Sequence, residues 1–238
     1  MSLTNVKHTY TDTEQWNTYI HEKFCEEVNK NPELKELRDF VEQNAFGFGE
    51  RSFYWMWKII VDEMPKEFTF LEIGVFRGQT TTLIQLLAKQ AGKKVKVYGV
   101  TPQDATDGHW DSDYPMDLFT LEKKFNVPHL NIFRGLSTNP EIIQEVSQLK
   151  FDIVYIDGGH TYEVIKSDLE VYPKLTKDFL VVYDCANRFK IPFGMFAGIE
   201  SVSNAVDEVL PPFGNKLNFD YLFNVVHNRI WRINNGKG

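Results

Sequence analysis

Apolar and polar positions along this chain follow two different periods. Over residues 14–60 apolar side chains recur at helical spacing, in EQWNTYIHEKFCEEV and again in the aromatic run FYWMWKII, which predicts a helical cap over residues 1–65. From residue 68 the pattern changes to short apolar runs separated by helical stretches: 68–73, KVKVYGV (94–100), HLNIFRG (129–135), FDIVYID (151–157) and FLVVYD (179–184). Such runs suit parallel strands buried on both faces, and their alternation with helices predicts an α/β unit over 66–238 with helices on both sides of one sheet. Near the end, IESVSNAVDEVL (199–210) is an amphipathic helix. FDYLFNVVHNRIWRI (219–233) predicts two antiparallel strands joined by a turn at Asn228, closing one edge. No internal repeat or low-complexity tract interrupts this plan.

The first run ends in an acid and a glycine-spaced turn, Glu72-x-Gly74-x-x-x-Gly78, before Leu83, Leu86 and Leu87 resume helical spacing. Glycine tolerates positive φ and lets the backbone approach a ligand, and the free N–H groups of the next helix, near Thr80 and Thr81, suit a carboxylate or phosphate. A dinucleotide fingerprint would put a second glycine where Phe76 stands, and no G-x-x-x-x-G-K-[ST] run exists. What remains, E-x-G-x-x-x-G at a strand end, resembles motif I of the class I S-adenosylmethionine-dependent methyltransferases. A tight turn with no ligand is the plainer alternative.

Every predicted strand delivers something polar at its carboxyl end, where ligands gather in open parallel sheets. Strand one gives Glu72 and Gly74, strand two Thr101 and then Asp104, strand three Gly135 and Ser137, strand four Asp157 and His160, and strand five Asp184. If strands four and five are neighbours, their ends lie about 5 Å apart, and carboxylates directly after both can converge on one small hard cation. Gly158 and Gly159 let the chain turn sharply and bring His160 over the same edge, where an imidazole of ordinary pKa near 6.5 can accept a proton. Helix capping for the aspartates and a surface position for His160 are the alternatives.

The Asp-x-x-His segment IDGGHTYEVIKSDLEVYPKL, with FLVVYDCA after it, resembles the macrocin-type and cephalosporin-hydroxylase-like O-methyltransferases over about residues 68–210. That resemblance implies a Rossmann-like class I sheet of order 3-2-1-4-5-7-6. It also implies S-adenosylmethionine as cofactor, Mg2+ held by Asp157 and Asp184, and His160 as the base that takes the proton from an acceptor hydroxyl. On the same footing, Glu72, Gly74, Gly78, Thr80, Thr101, Asp104, Ser137 and Asp157 would hold the cofactor, and the acceptor would be a small molecule, with sugar-bearing ones among the classes covered. Three positions depart from the pattern. Cys185, a poor magnesium partner, stands where a third oxygen ligand is usual. Thr101 replaces the strand-two acid that grips a ribose, leaving Asp104 or Gln103 as substitutes. No acid follows strand three, so adenine contact falls to Ser137.

Composition narrows the partners. With a formal charge of −7 and a pI near 5.4, the chain lacks the basic footprint of a nucleic-acid binder. The cluster Lys89, Lys93, Lys94 and Lys96 reads as a solvated helix end. No apolar run approaches the roughly 20 residues that span a bilayer, the N-terminus has no secretory core, and Cys25 and Cys185 form no C-x-x-C, so the expected location is cytoplasmic. Tyr54, Trp55, Trp57 and Ile60 are core packing or, alternatively, a substrate or homo-oligomer surface. Two loops flank the expected site: 103–117, with five aspartates, Trp110 and Tyr114, and 188–198, an apolar segment with glycine hinges that resembles a lid. A non-catalytic nucleotide- or partner-binding module on the same fold is the rival function.

Overall fold

The computed structural model describes residues 1–103, 114–210 and 218–234. Its N-terminal part is four helices: α1 (Leu3–Thr9), α2 (Glu14–Lys30), α3 (Pro32–Asn44) and α4 (Ser52–Glu63). Side-chain caps set their starts. Thr13 Oγ1 accepts the Trp16 N–H at 3.2 Å, and Asn31 accepts from Leu34 with Pro32 in the first turn, where its missing N–H costs nothing.

The sheet follows: β1 (Glu67–Ile73), β2 (Lys94–Thr101), β3 (Asn131–Arg134), β4 (Phe151–Ile156), β5 (Thr176–Val182), β6 (Phe219–Val225) and β7 (Asn228–Ile233). Between them run α5 (Gln79–Gln90), α6 (Tyr114–Phe125), α7 (Pro140–Val146), α8 (Tyr162–Val171) with a 3-10 turn at Tyr172–Leu175, and α9 (Glu200–Val209). The strand order is β3-β2-β1-β4-β5-β7-β6, parallel through β5 and antiparallel in the last two pairs, as the resemblance implied.

Successive residues of the central strands feed opposite cores. Phe70, Ile153, Tyr155, Phe179 and Val181 face α2, α4 and α5, whereas Leu71, Ile73, Val154, Ile156, Leu180 and Val182 face α7, α8 and α9. All are buried, which explains near-continuous apolar runs rather than alternation. The aromatic stripe of α4 divides between duties. Ile60 is core, Trp55 is half-buried under the Lys58 ammonium, and Trp57 packs edge-on against Phe70 (5.6 Å) and Tyr155 (5.1 Å).

Two expectations need correction. The third strand is shorter than residues 129–135, beginning at Asn131. The last hairpin turns at Val226–His227, and Asn228 is already the first residue of β7. Val226 adopts φ 49°, a region that β-branched residues avoid, where hairpins usually place Asn or Gly.

Candidate functional site

Main-chain hydrogen bonds carry the parallel ladder one residue past the strand ends. Gly74 N–H reaches Val100 O at 2.9 Å, Gly135 N–H reaches Thr101 O at 3.0 Å, Asp157 N–H reaches Ile73 O at 2.9 Å, and Tyr183 N–H reaches Ile156 O at 3.0 Å. The ends of β1 to β5 therefore sit in one row. Above it opens a cavity of about 800 Å³, lined by these ends, by the glycine turn and by residues 46–57 of the helical cap.

The half over β1, β2 and β3 is shaped by backbone. Gly74 has φ 95°, and a Cβ there would lie 2.0 Å from the Asp157 carbonyl oxygen, so no other residue fits. Gly78, at φ 84°, is the N-cap of α5. Thr80 lines the cavity, whereas Thr81 is buried, its hydroxyl donating to Gly78 O. Glu72 is 4% exposed, and its Oε2 has no partner. Burial first, then the charge of Asp157, pushes its carboxyl well above the usual carboxylate range, against a Thr80 side-chain hydrogen bond. Thr101 accepts the Gln103 N–H at 3.2 Å, which fixes a left-handed Gln103. Ser137 also lines the cavity, its carbonyl held by the Tyr172 hydroxyl at 2.7 Å. Asp104 lies outside the described residues, as does Trp110.

The half over β4 and β5 is shaped by side chains. The ring Nε2 of half-exposed His160 lies 3.9 Å from Asp157 Oδ1 and 3.7 Å from Asp184 Oδ2. Its backbone is held by Ser201, which donates to the His160 carbonyl at 2.7 Å, and Thr161 caps α8 immediately afterwards. Donation from its ring to the Asp157 carboxylate chiefly, opposed by burial and aided by the charges of Asp157 and Asp184, raises the imidazole pKa. Burial raises Asp157, though His160 and the Tyr155 hydroxyl, donating at 3.1 Å, oppose it. Asp184, left-handed at φ 55°, is pushed up to about 7 by burial and by the charge of Asp157.

Gly158 and Gly159 have ordinary φ values. Their need for glycine is spatial, since a Cβ would lie 3.0 Å from Asp168 Oδ2 or 2.9 Å from Val164 Cγ1. Asp168, on α8, is 1% exposed, and burial pushes it up to about 7 against an opposing effect of the Ser137 side chain.

Several cavity residues carry no motif: Glu50 and Phe53 from the cap, Tyr155, Tyr183, and above all His227. The strained hairpin turn delivers His227 into a box formed by Phe53, Tyr183 and Phe196, with ring centroids 4.8, 4.7 and 5.2 Å away. Its Nδ1–H donates to Phe196 O at 3.1 Å, and burial lowers its pKa to about 4. The neutral Nε2 faces Asp184 Oδ1 at 3.5 Å, and neither atom has another partner. A turn built from Val and His, with no Asn-Gly pair, was the available signal, because strain at a turn marks functional sites.

Residues 71–184 match the family model of a methyltransferase domain. The chain's sheet order is that of the Rossmann-like class I S-adenosylmethionine-dependent methyltransferase fold, which solved structures similar to it share. Among solved structures, an O-methyltransferase from Bacillus cereus in complex with S-adenosylhomocysteine is 11% identical, with 86% of this chain and 91% of that chain covered at a TM-score of 0.59. The O-methyltransferase TomG of Streptomyces achromogenes, involved in tomaymycin synthesis and bound to S-adenosylmethionine, is 12% identical over 84% of this chain and 89% of its own, with a TM-score of 0.52. A Podospora anserina methyltransferase bound to S-adenosylhomocysteine is 13% identical, covering 90% and 87%, also at 0.52. No curated protein matches the chain. No helix among the described residues is long and apolar enough to cross a membrane.

The methyltransferase cavity suits its cofactor. The orphaned Glu72 oxygen calls for a hydroxyl or ammonium donor, and the Gly74 cradle leaves room that any Cβ would fill. Magnesium fits poorly. Cys185 is fully buried, with its thiol donating to Val182 O at 3.1 Å, and among the described residues no three His, Cys, Asp or Glu side chains form a metal-holding group. The expected ligands Asp157 and Asp184 do meet at His160, without a hard third donor.

Proposed function

We propose that this methyltransferase transfers a methyl group to a hydroxyl oxygen of a small molecule, with His160 as the base. The observation that carries the reading is His160 Nε2 set between Asp157 and Asp184 in the cavity that Gly74 opens. The Bacillus and Streptomyces neighbours, both O-methyltransferases by name, support oxygen as the nucleophile.

Glu72, Gly74, Gly78, Thr80, Thr101 and Ser137 would hold S-adenosylmethionine, with Asp157 at the junction of the two halves; Asp104 belongs to the same proposal. When bound, that cofactor supplies an electrophilic methyl on a sulfonium sulfur. His160 takes the hydroxyl proton at Nε2, and Asp157 and Asp184 orient the ring and stabilise the imidazolium that results. Phe53, Tyr54 and Trp57 from residues 1–65 act as a cap that keeps water from the reacting oxygen. No step needs a divalent cation, since the donor set does not suit one. A label on the cofactor's methyl group, followed into a hydroxyl-bearing acceptor, tests the reading: the label should appear as a methyl ether. Label on nitrogen or carbon, or none with any acceptor, would refute it.

A further inference from the structure

We infer that the methyl acceptor carries a protonated amine, anchored in an acid-lined aromatic subsite for which Glu50 is the specificity residue. The inference rests on the methyl-transfer reading and names the substrate class of the same cavity.

Glu50, Asp157 and Asp184 come from three distant segments, all line the cavity, and all raise the pKa of one phenol, Tyr183, after burial has done so. Three carboxylates of one cavity thus bear on one phenol, and Glu50 also bears on His21 of α2. Neither Lys nor Arg lines this half among the described residues; the single cavity arginine, Arg77, sits on the glycine turn, 3.2 Å from Asp117 and donating to Ala45 O. The cations nearest Glu50 in the cap are committed elsewhere. Arg51 holds Asp39 and Glu42, and Arg38 holds Glu42 and the Gly49 carbonyl and lies over the Tyr54 ring at 5.7 Å, its charge reaching Tyr183 and opposing the three acids there. The Glu50 carboxylate itself has no hydrogen bond or ion pair among the described residues.

An independent observation points to a donor. His227 is 2% exposed, its Nδ1–H is spent on Phe196 O, and its bare Nε2 lone pair faces the equally unpartnered Asp184 Oδ1. Two acceptors face each other with nothing donating to either. Around them stand the rings of Phe53, Tyr183 and Phe196.

Carboxylates combined with aromatic faces favour an ammonium ion, by charge and by cation–π attraction. A phosphate or carboxylate on the acceptor would meet Glu50, Asp157 and Asp184 with no Lys or Arg lining this half among the described residues. The same acids hold an amine protonated, without a lone pair, so it serves as an anchor while the hydroxyl at His160 reacts.

The sulfonium of the donor is itself cationic, so the test uses the full chain saturated with the neutral product S-adenosylhomocysteine. Calorimetry would compare tyramine with 4-ethylphenol, glucosamine with glucose, and 4-hydroxyphenylacetate as the anion. In at least one pair the amine should bind about tenfold tighter, the anion should not bind, and Glu50→Gln should cut that preference to within about threefold while S-adenosylhomocysteine affinity is kept. Amine and neutral partner binding equally in both pairs, an undiminished preference in Glu50→Gln, or MgCl2 binding where neither amine does would each overturn the inference. If S-adenosylhomocysteine itself failed to bind, the methyl-transfer reading would fall; retained binding without an amine preference defeats only the present inference.

Discussion

The two halves of the cavity rim are built by different means. Over β1 to β3 the surface is chiefly backbone, with left-handed Gly74 and Gly78 and the Thr101–Gln103 turn around the buried Glu72 carboxyl. Over β4, β5 and the β6–β7 hairpin it is side chain, with carboxylates, imidazoles and aromatic rings whose pKa values are displaced by burial and by one another. A backbone surface recognises what all substrates of a methyltransferase share, the cofactor. A side-chain surface can be changed residue by residue, and on the proposed function it is the half that would choose the acceptor.

If that division is right, substitutions should separate cleanly. The largest effect belongs to Gly74→Ala, whose Cβ would collide with the Asp157 carbonyl at 2.0 Å on a residue at φ 95°. S-adenosylhomocysteine affinity should fall by on the order of 100-fold or more in calorimetry, because the strand ends must part to admit the methyl group. Near-wild-type affinity would show that the turn is not the cradle. His160→Ala comes next, with kcat lower by roughly 100-fold and cofactor affinity kept, since base catalysis contributes about that much. Weaker cofactor binding with unchanged kcat would assign His160 to the wrong half.

Asp168 lies behind the junction of the halves, beneath Gly158, and tests the electrostatics. Its folded pKa is raised from 3.8 to about 7, so its contribution to stability is fully present below pH 3.8 and is lost as pH rises through about 7. Asp168→Asn should therefore be more stable than the wild type at pH 8, by on the order of 2 kcal/mol, with no difference at pH 3.5. Thermal melts at the two pH values decide it; a variant less stable at pH 8 would mean that the ionised carboxylate has a partner. His160 sets a smaller effect. With its pKa raised by Asp157, the acidic limb of kcat/KM should lie above 6.5, and Asp157→Asn should shift it downwards. The smallest effect expected is that of chelator: EDTA should leave turnover unchanged. Loss of activity, restored by magnesium, would reinstate Asp157 and Asp184 as ligands.

The backbone half was legible in the sequence because each of its requirements selects a residue type. Gly74 and Gly78 are forced by φ and by close approach, and strand ends declare themselves where an apolar run stops. The strand order followed from resemblance, and Asp157, His160 and Asp184 from their places after β4 and β5. The acceptor half was mostly hidden. Phe53, Tyr54, Trp57, Tyr155 and Tyr183 look the same in a sequence whether they pack a core or wall a cavity, and in this fold they do both. Glu50 is one acid among many, in the connection between α3 and α4. His227 carries no motif, and the sequence pattern places the turn one residue later, at Asn228. The one-residue difference matters, since it moves the imidazole from a strand to a strained turn that points it into the site.

The central claim is that one cavity seats the cofactor against the glycine turn and presents the reacting methyl to His160. A crystal structure of the chain grown with S-adenosylhomocysteine tests it most directly. The account predicts density along Gly74, Thr101 and Ser137, with the sulfur facing the Asp157–His160–Asp184 cluster. A ligand bound elsewhere, or one in the cavity with its sulfur turned away from His160, would contradict it.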